Sequence, residues 1–175
     1  MAILNPINFK KWVDENRHLL KPPVGNQVIY KDSETIVMVV GGPNNRKDYH
    51  YNEGEEFFYQ LEGDMQLPII EDGKRRVIDI REGEIFLLPP RTPHSPQRKA
   101  NTLGLVIERK RADQEIDSCM WYCESCSHLL YKADFHLDDI VTQLPMLMQS
   151  FYDNLSLRTC TECGTVMEPP QLQAQ

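Results

Sequence analysis

Two histidines and one glutamate are spaced so that they could share a metal ion. His50 and Glu56 lie six residues apart, and His94 follows Glu56 by 38 residues in a proline-rich stretch. Two imidazoles and a carboxylate form the facial set that suits non-haem Fe(II) and leaves coordination positions open for O₂ and a substrate side by side. Isolated histidines are usually core or surface residues, and His18, His128 and His136 are read that way here.

Arg46 stands four residues before His50, and Arg98 four after His94. A guanidinium presents a planar fork of donors that matches a carboxylate. An arginine beside each candidate ligand therefore points to an acidic substrate. Glu108 ends the apolar run Leu103–Ile107. Buried there it would be costly unless paired, and Arg98 is the expected partner. Further on, Cys123-x-x-Cys126 and Cys160-x-x-Cys163 are two thiol pairs 33 residues apart, with Cys119 left over. Four thiolates make a closed tetrahedral shell for zinc or iron.

The elements that must position these groups change character along the chain. Residues 7–20 read as a helix with Phe9, Trp12, Val13 and Leu20 on one face, stopped by Pro22-Pro23. From about residue 27 to 108 the texture is short β-type runs: 35–40, 56–61, 65–70, 76–80, 85–88 and 103–108, separated by Gly, Pro and Asp turns. This pattern predicts an antiparallel sandwich or barrel. Residues 109–118 read as a polar linker, and the tail beyond carries Val141, Leu144, Met148, Phe151 and Leu155 at helical spacing, with Pro145 near the helix start. The expected organisation is a catalytic unit over 1–110 and a cysteine-bearing tail over 111–175.

Composition narrows the function classes. A formal net charge of −7 disfavours a basic face for nucleic acid. No apolar run approaches the roughly 20 residues of a membrane span, and the first residues do not resemble a signal peptide. A cytoplasmic enzyme without nucleic-acid or membrane partners is expected, and cysteines in that setting favour metal over disulfides.

Two ordered motifs then identify a resemblance. His50, Glu56 and Gly63 resemble the first cupin motif, and Gly83, Pro89 and His94 the second. The implied fold is a mainly β cupin jelly roll with an N-terminal helix and a small C-terminal metal-binding tail. Asp48 stands where cupins usually carry another histidine, while Arg91 and Arg98 replace a usual Gly and Asn. Losing that histidine leaves a three-ligand site with more open positions.

The resemblance tightens in the segments 21–26 (KPPVGN), 41–50 (GGPNNRKDYH), 55–60 (EEFFYQ), 87–90 (LLPP), 94–98 (HSPQR) and 106–109 (VIER). These are similar to the 3-hydroxyanthranilate 3,4-dioxygenase family, over nearly the whole length and including Trp121-Tyr122-Cys123. The resemblance implies Fe(II) on His50, Glu56 and His94, with Arg46, Arg98 and Glu108 around the substrate carboxylate, and Asn26 and Asp48 in the loops that close over the site. It implies a rubredoxin-like site on Cys123, Cys126, Cys160 and Cys163, holding iron or zinc in a structural role. It further implies a homodimer that uses O₂ to open the ring of an aromatic carboxylate, giving 2-amino-3-carboxymuconate semialdehyde and then quinolinate on the route to NAD. Two other classes compete: a metal-dependent cupin isomerase, which would consume no O₂, and a ligand-binding module with a zinc tail.

Overall fold

The computed structural model describes residues 3, 5–21, 25–30, 33–137 and 140–170, and of 140–142 the backbone alone. The Pro22-Pro23 stop and the last five residues lie outside them. Alternating apolar side chains build β2 (Thr35–Gly41), β4 (Glu56–Glu62) and β9 (Leu103–Arg109), which lie with β1 (Asn26–Val28) and β7 (Ile85–Leu88) in one antiparallel sheet, order β1-β2-β9-β4-β7. A second layer comes from β3 (Tyr49–Tyr51), β5 (Met65–Glu71), β6 (Lys74–Ile80) and β8 (Gln97–Arg98), joined to β10 (Asp117–Tyr122) and β11 (Leu129–Phe135). Single bridges His50↔His94 and Ile69↔His94 stitch β3 to β5 through the His94 segment. The result is mainly β and antiparallel, a jelly roll.

Period-two alternation decides what faces inward. Along β4, Glu56, Phe58 and Gln60 are buried while Phe57 and Tyr59 are only half-buried. Met38, Val40, Phe58, Met65, Leu67, Ile69, Ile80, Leu88 and Val106 pack between the layers. Gly63, at φ 62°, makes the turn from β4 to β5 that a side chain would strain.

The N-terminal helix is shorter than its apolar pattern predicts. α1 spans Phe9–Asn16, capped by the Asn8 side chain accepting from the Lys11 N–H, and the chain tightens into a 3₁₀ turn over Arg17–Leu19. Val13 and Leu20 seat it on Val39 and Leu103, covering the outer face of the first sheet.

The stretch read as a linker belongs in part to the barrel. β10 begins at Asp117 and pairs antiparallel with β3, Cys119 opposite His50. The helical stretch of the tail divides into α2 (Ile140–Tyr152) and α3 (Leu155–Arg158), the latter capped by Asn154. Pro145 lies inside α2 rather than at its start. The apolar face of α2 packs within its own chain: Phe151 stacks on Trp121 with ring centroids 4.4 Å apart, among Ala133, Leu144 and Met167.

Candidate metal and substrate site

β3, β4 and the turn after β7 bring His50, Glu56 and His94 together, all buried, with one potential ligand atom from each within 4.8 Å of the others. Glu56 Oε1 lies 3.2 Å from His94 Nε2 and 3.7 Å from His50 Nδ1. The far nitrogen of each ring is held: His94 Nδ1 is 2.9 Å from the Thr92 carbonyl, and His50 Nε2 is 2.6 Å from Asp117 Oδ2. Bonds of this kind set the tautomer and ring orientation of a metal-binding histidine.

Charge around the three is unbalanced. Burial pushes the Glu56 carboxyl up, but His94, His50 and Arg111 outweigh it and hold it at about 2, so it is ionised. Glu108 moves the other way: burial and the negative charge of Glu56 raise it above the ordinary carboxylate range against the pull of Arg111. Asn52 Nδ2 donates to Glu56 Oε1 at 2.7 Å and reaches Glu108 Oε2 at 3.5 Å.

The partner of Glu108 is not Arg98. Arg111 Nη1 donates to Glu108 Oε2 at 2.6 Å, while its Nε and Nη2 grip both oxygens of Asp117 at 2.9–3.2 Å. Arg111, Asp117, Asn52 and Gln60 are the site's residues that sequence reading passed over. Gln60 carried a usable signal, being a polar residue an even number of positions from Glu56 on an inward-facing strand.

Arg98 is 2% exposed and has no carboxylate partner among the described residues. Its Nη1 donates to Gln60 Oε1 at 2.8 Å, and its Nε is buried without any partner. Gly104 makes room for it: a Cβ there would stand 2.6 Å from Arg98 Nη1 and 2.9 Å from Gln60 Oε1. Glu56 and Gln60 share the inner face of β4 four residues apart, about 13 Å along the strand. Arg46 is differently placed, its guanidinium being engaged by the buried carboxylate of Asp48. Asp48 also lies 3.8 Å from Cys119 Sγ. Asn26 opens β1, paired with Val40 and half-buried.

In the tail, Cys123, Cys126, Cys160 and Cys163 bring four sulfurs within 4.8 Å of one another. Two matching turns present them. The Ser127 N–H donates to the Cys123 carbonyl and the Gly164 N–H to the Cys160 carbonyl, and both donors have positive φ.

A family model described as 3-hydroxyanthranilic acid dioxygenase matches residues 1–152. A 3-hydroxyanthranilate 3,4-dioxygenase of Xanthomonas campestris pv. campestris (strain 8004) is 55% identical over 172 residues, covering 98% of this chain and 97% of its own. One of Jannaschia sp. (strain CCS1) is 52% identical over 175 residues at the same coverage. Among solved structures, a cupin-2 domain protein from Shewanella frigidimarina aligns with TM-score 0.48 and 21% identity over 59% of this chain and 94% of that one. By the family model and by identity over almost the full length, the chain belongs to the 3-hydroxyanthranilic acid dioxygenase family.

Proposed function

We propose that this chain is an Fe(II)-dependent dioxygenase that opens the ring of 3-hydroxyanthranilate. The observation that carries the proposal is the pairing of an ionised His₂Glu group with a buried guanidinium that has no carboxylate partner among the described residues, at the other end of the same β4 face. The donor set fits iron. So does the charge: Glu56, Glu108 and Asp117 are buried beside one guanidinium, Arg111, and once His50 and His94 are neutral, as metal-binding imidazoles are, a divalent cation would offset the excess of negative charge. The names of the relatives supply the substrate.

His50, Glu56 and His94 would hold the iron, which when bound supplies the open positions where the substrate's hydroxyl and O₂ meet. Arg98 would take the substrate carboxylate, replacing the partner its Nε lacks and fixing the ring along the inner face of β4. Arg46, balanced by Asp48, would line the carboxylate end from the side of the loop that leads into β3, with Asn26 on the neighbouring edge strand. Glu108 Oε, made more basic by burial beside Glu56, would accept the proton released by the substrate's hydroxyl. Both atoms of O₂ enter the product, so no external reductant is required. The product, 2-amino-3-carboxymuconate semialdehyde, closes to quinolinate, which places the reaction on a route to NAD. We assign the four-thiolate site to iron or zinc in a structural role, since its shell has no vacancy for substrate.

A cytoplasmic homodimer is the state we propose. The exposed apolar side chains of Ile85 and Leu87 on β7 support the dimer. Sedimentation at several concentrations tests the dimer.

Oxygen uptake by the Fe(II)-loaded protein on adding 3-hydroxyanthranilate tests the function. One O₂ per substrate is expected, and His50→Ala, Glu56→Ala and His94→Ala should each lose both uptake and bound iron. No uptake by iron-loaded wild type would refute the assignment and favour an isomerase or a binding module.

A further inference from the structure

His50 is held from behind by a carboxylate that is itself held. Asp117, fully buried at the first position of β10, sits 2.6 Å from His50 Nε2. It reaches the ring because β10 pairs with β3 in a register that sets Ser118 opposite Tyr51 and Cys119 opposite His50. Arg111 grips both Asp117 oxygens with Nε and Nη2, and its remaining arm bonds Glu108 at 2.6 Å and the Arg109 carbonyl at 3.2 Å. The Arg111 side chain is 4% exposed.

A buried ion pair of this kind is poor value for stability alone, since well-packed apolar side chains of the same volume would do as well or better. What apolar side chains could not do is accept from a ring nitrogen. Nor could they hold two carboxylates that face different chemical tasks at a constant separation. Arg111 does the second and thereby makes the first possible: without it, Asp117 would be an uncompensated buried charge, free to turn away from His50. The contacts close a loop, His50–Asp117–Arg111–Glu108–Asn52–Glu56, in which each link is an observed polar contact of 3.7 Å or less.

We propose that Asp117 and Arg111 are positioning residues of this site. Asp117 fixes which nitrogen and which edge of the His50 ring face Glu56. Arg111 locks Asp117 and Glu108 together, so that the metal end and the proton-accepting end keep one geometry. The inference rests on the reading of His50 as a metal ligand, and the test separates the two.

Mn(II) is a suitable probe because carboxylate and imidazole donors accept it while a four-thiolate site prefers softer ions. Its free-ion EPR signal reports binding without turnover. Asp117→Asn keeps the shape but, with an amide in place of the carboxylate, should weaken Mn(II) binding by about 10–100-fold. Arg111→Lys keeps the charge but cannot span both carboxylates; it should fall between wild type and Asp117→Asn in Mn(II) affinity and raise KM for 3-hydroxyanthranilate. Wild-type Mn(II) affinity in folded Asp117→Asn would overturn the proposal. If that variant does not fold, wild-type affinity together with unchanged KM in Arg111→Lys would overturn it equally. His50→Ala is the control: Mn(II) bound by it as by wild type removes the ligand reading itself, and the proposal with it.

Discussion

Arg98→Met should make the ligand-free protein more stable and the enzyme worse. Burial pulls the Arg98 guanidinium down from its ordinary value to about 10, with no charged partner opposing it. At 1.36 kcal/mol per pH unit this corresponds to a desolvation cost of about 3 kcal/mol. A base whose folded pKa is depressed burdens the fold fully below that pKa, and the burden lifts only as pH rises from about 10 toward the ordinary arginine range. At neutral pH the whole cost is therefore present. Methionine fills most of the same volume without the charge, and the lost charge-assisted hydrogen bond to Gln60 takes back about 1.5 kcal/mol or more. A net gain of up to about 1.5 kcal/mol remains, or a melting temperature higher by up to about 3–6 °C. Substrate binding moves oppositely. Losing a charge-assisted contact to the carboxylate should cost about 1.5–3 kcal/mol, a fall in kcat/KM of about 10- to 150-fold. Thermal melts without substrate and steady-state O₂ uptake measure the two effects. A variant that melts several degrees lower and keeps wild-type kcat/KM would show that Arg98 braces the barrel and does not meet the substrate.

Gly104→Ala would drive a methyl group into the Arg98 guanidinium and Gln60, so KM for 3-hydroxyanthranilate should rise while iron content stays at the wild-type level; kinetics beside metal analysis decides this. Phe151→Ala removes a fully buried ring stacked on Trp121 and should destabilise by about 3–5 kcal/mol, read by denaturant titration. Cys123→Ser with Cys126→Ser should empty the thiolate site and lower the melting temperature, yet leave activity per His₂Glu-bound iron within a few-fold of wild type in folded protein; a fall of orders of magnitude would make the tail metal part of the chemistry.

Local pattern and long-range pairing account for what was and was not legible in the sequence. His50, Glu56 and His94 could be picked out because strand alternation and turn residues bracket them within one stretch, and the structure brings them together. The two cysteine pairs converge for the same reason, each being a short self-contained turn. Asp117 was not legible: 67 residues separate it from His50, and only the β10–β3 register brings them into contact. Arg111 lies in a run of charged residues that looks solvated, yet the strand that follows folds it under the barrel wall. Glu108, at the end of an apolar run, needs a partner as the sequence predicts, but that partner is Arg111 and not Arg98. From composition alone Arg98 and Arg111 are equivalent; Arg111 wins because it is three residues from Glu108 and anchored by Asp117 as well.

That exchange of partners separates the two arginines by task. Arg111 is saturated, every arm of its fork occupied by Glu108, Asp117 or a backbone carbonyl. A saturated buried guanidinium has nothing left to offer a ligand, so its contribution is rigidity. Arg98 is the reverse, with one neutral acceptor on Nη1 and an orphaned Nε. An unsatisfied buried cation lowers the stability of the free protein, and the deficit is removed only when an anion arrives. On the proposed reading, binding energy from the carboxylate end would come partly from relief of a cost already present in the fold. The same logic runs at the other end of β4, where three buried acidic side chains share one guanidinium and the imidazoles of His50 and His94, and a divalent cation held by those imidazoles would offset the excess charge. Each end of the interior carries the charge opposite to its proposed ligand.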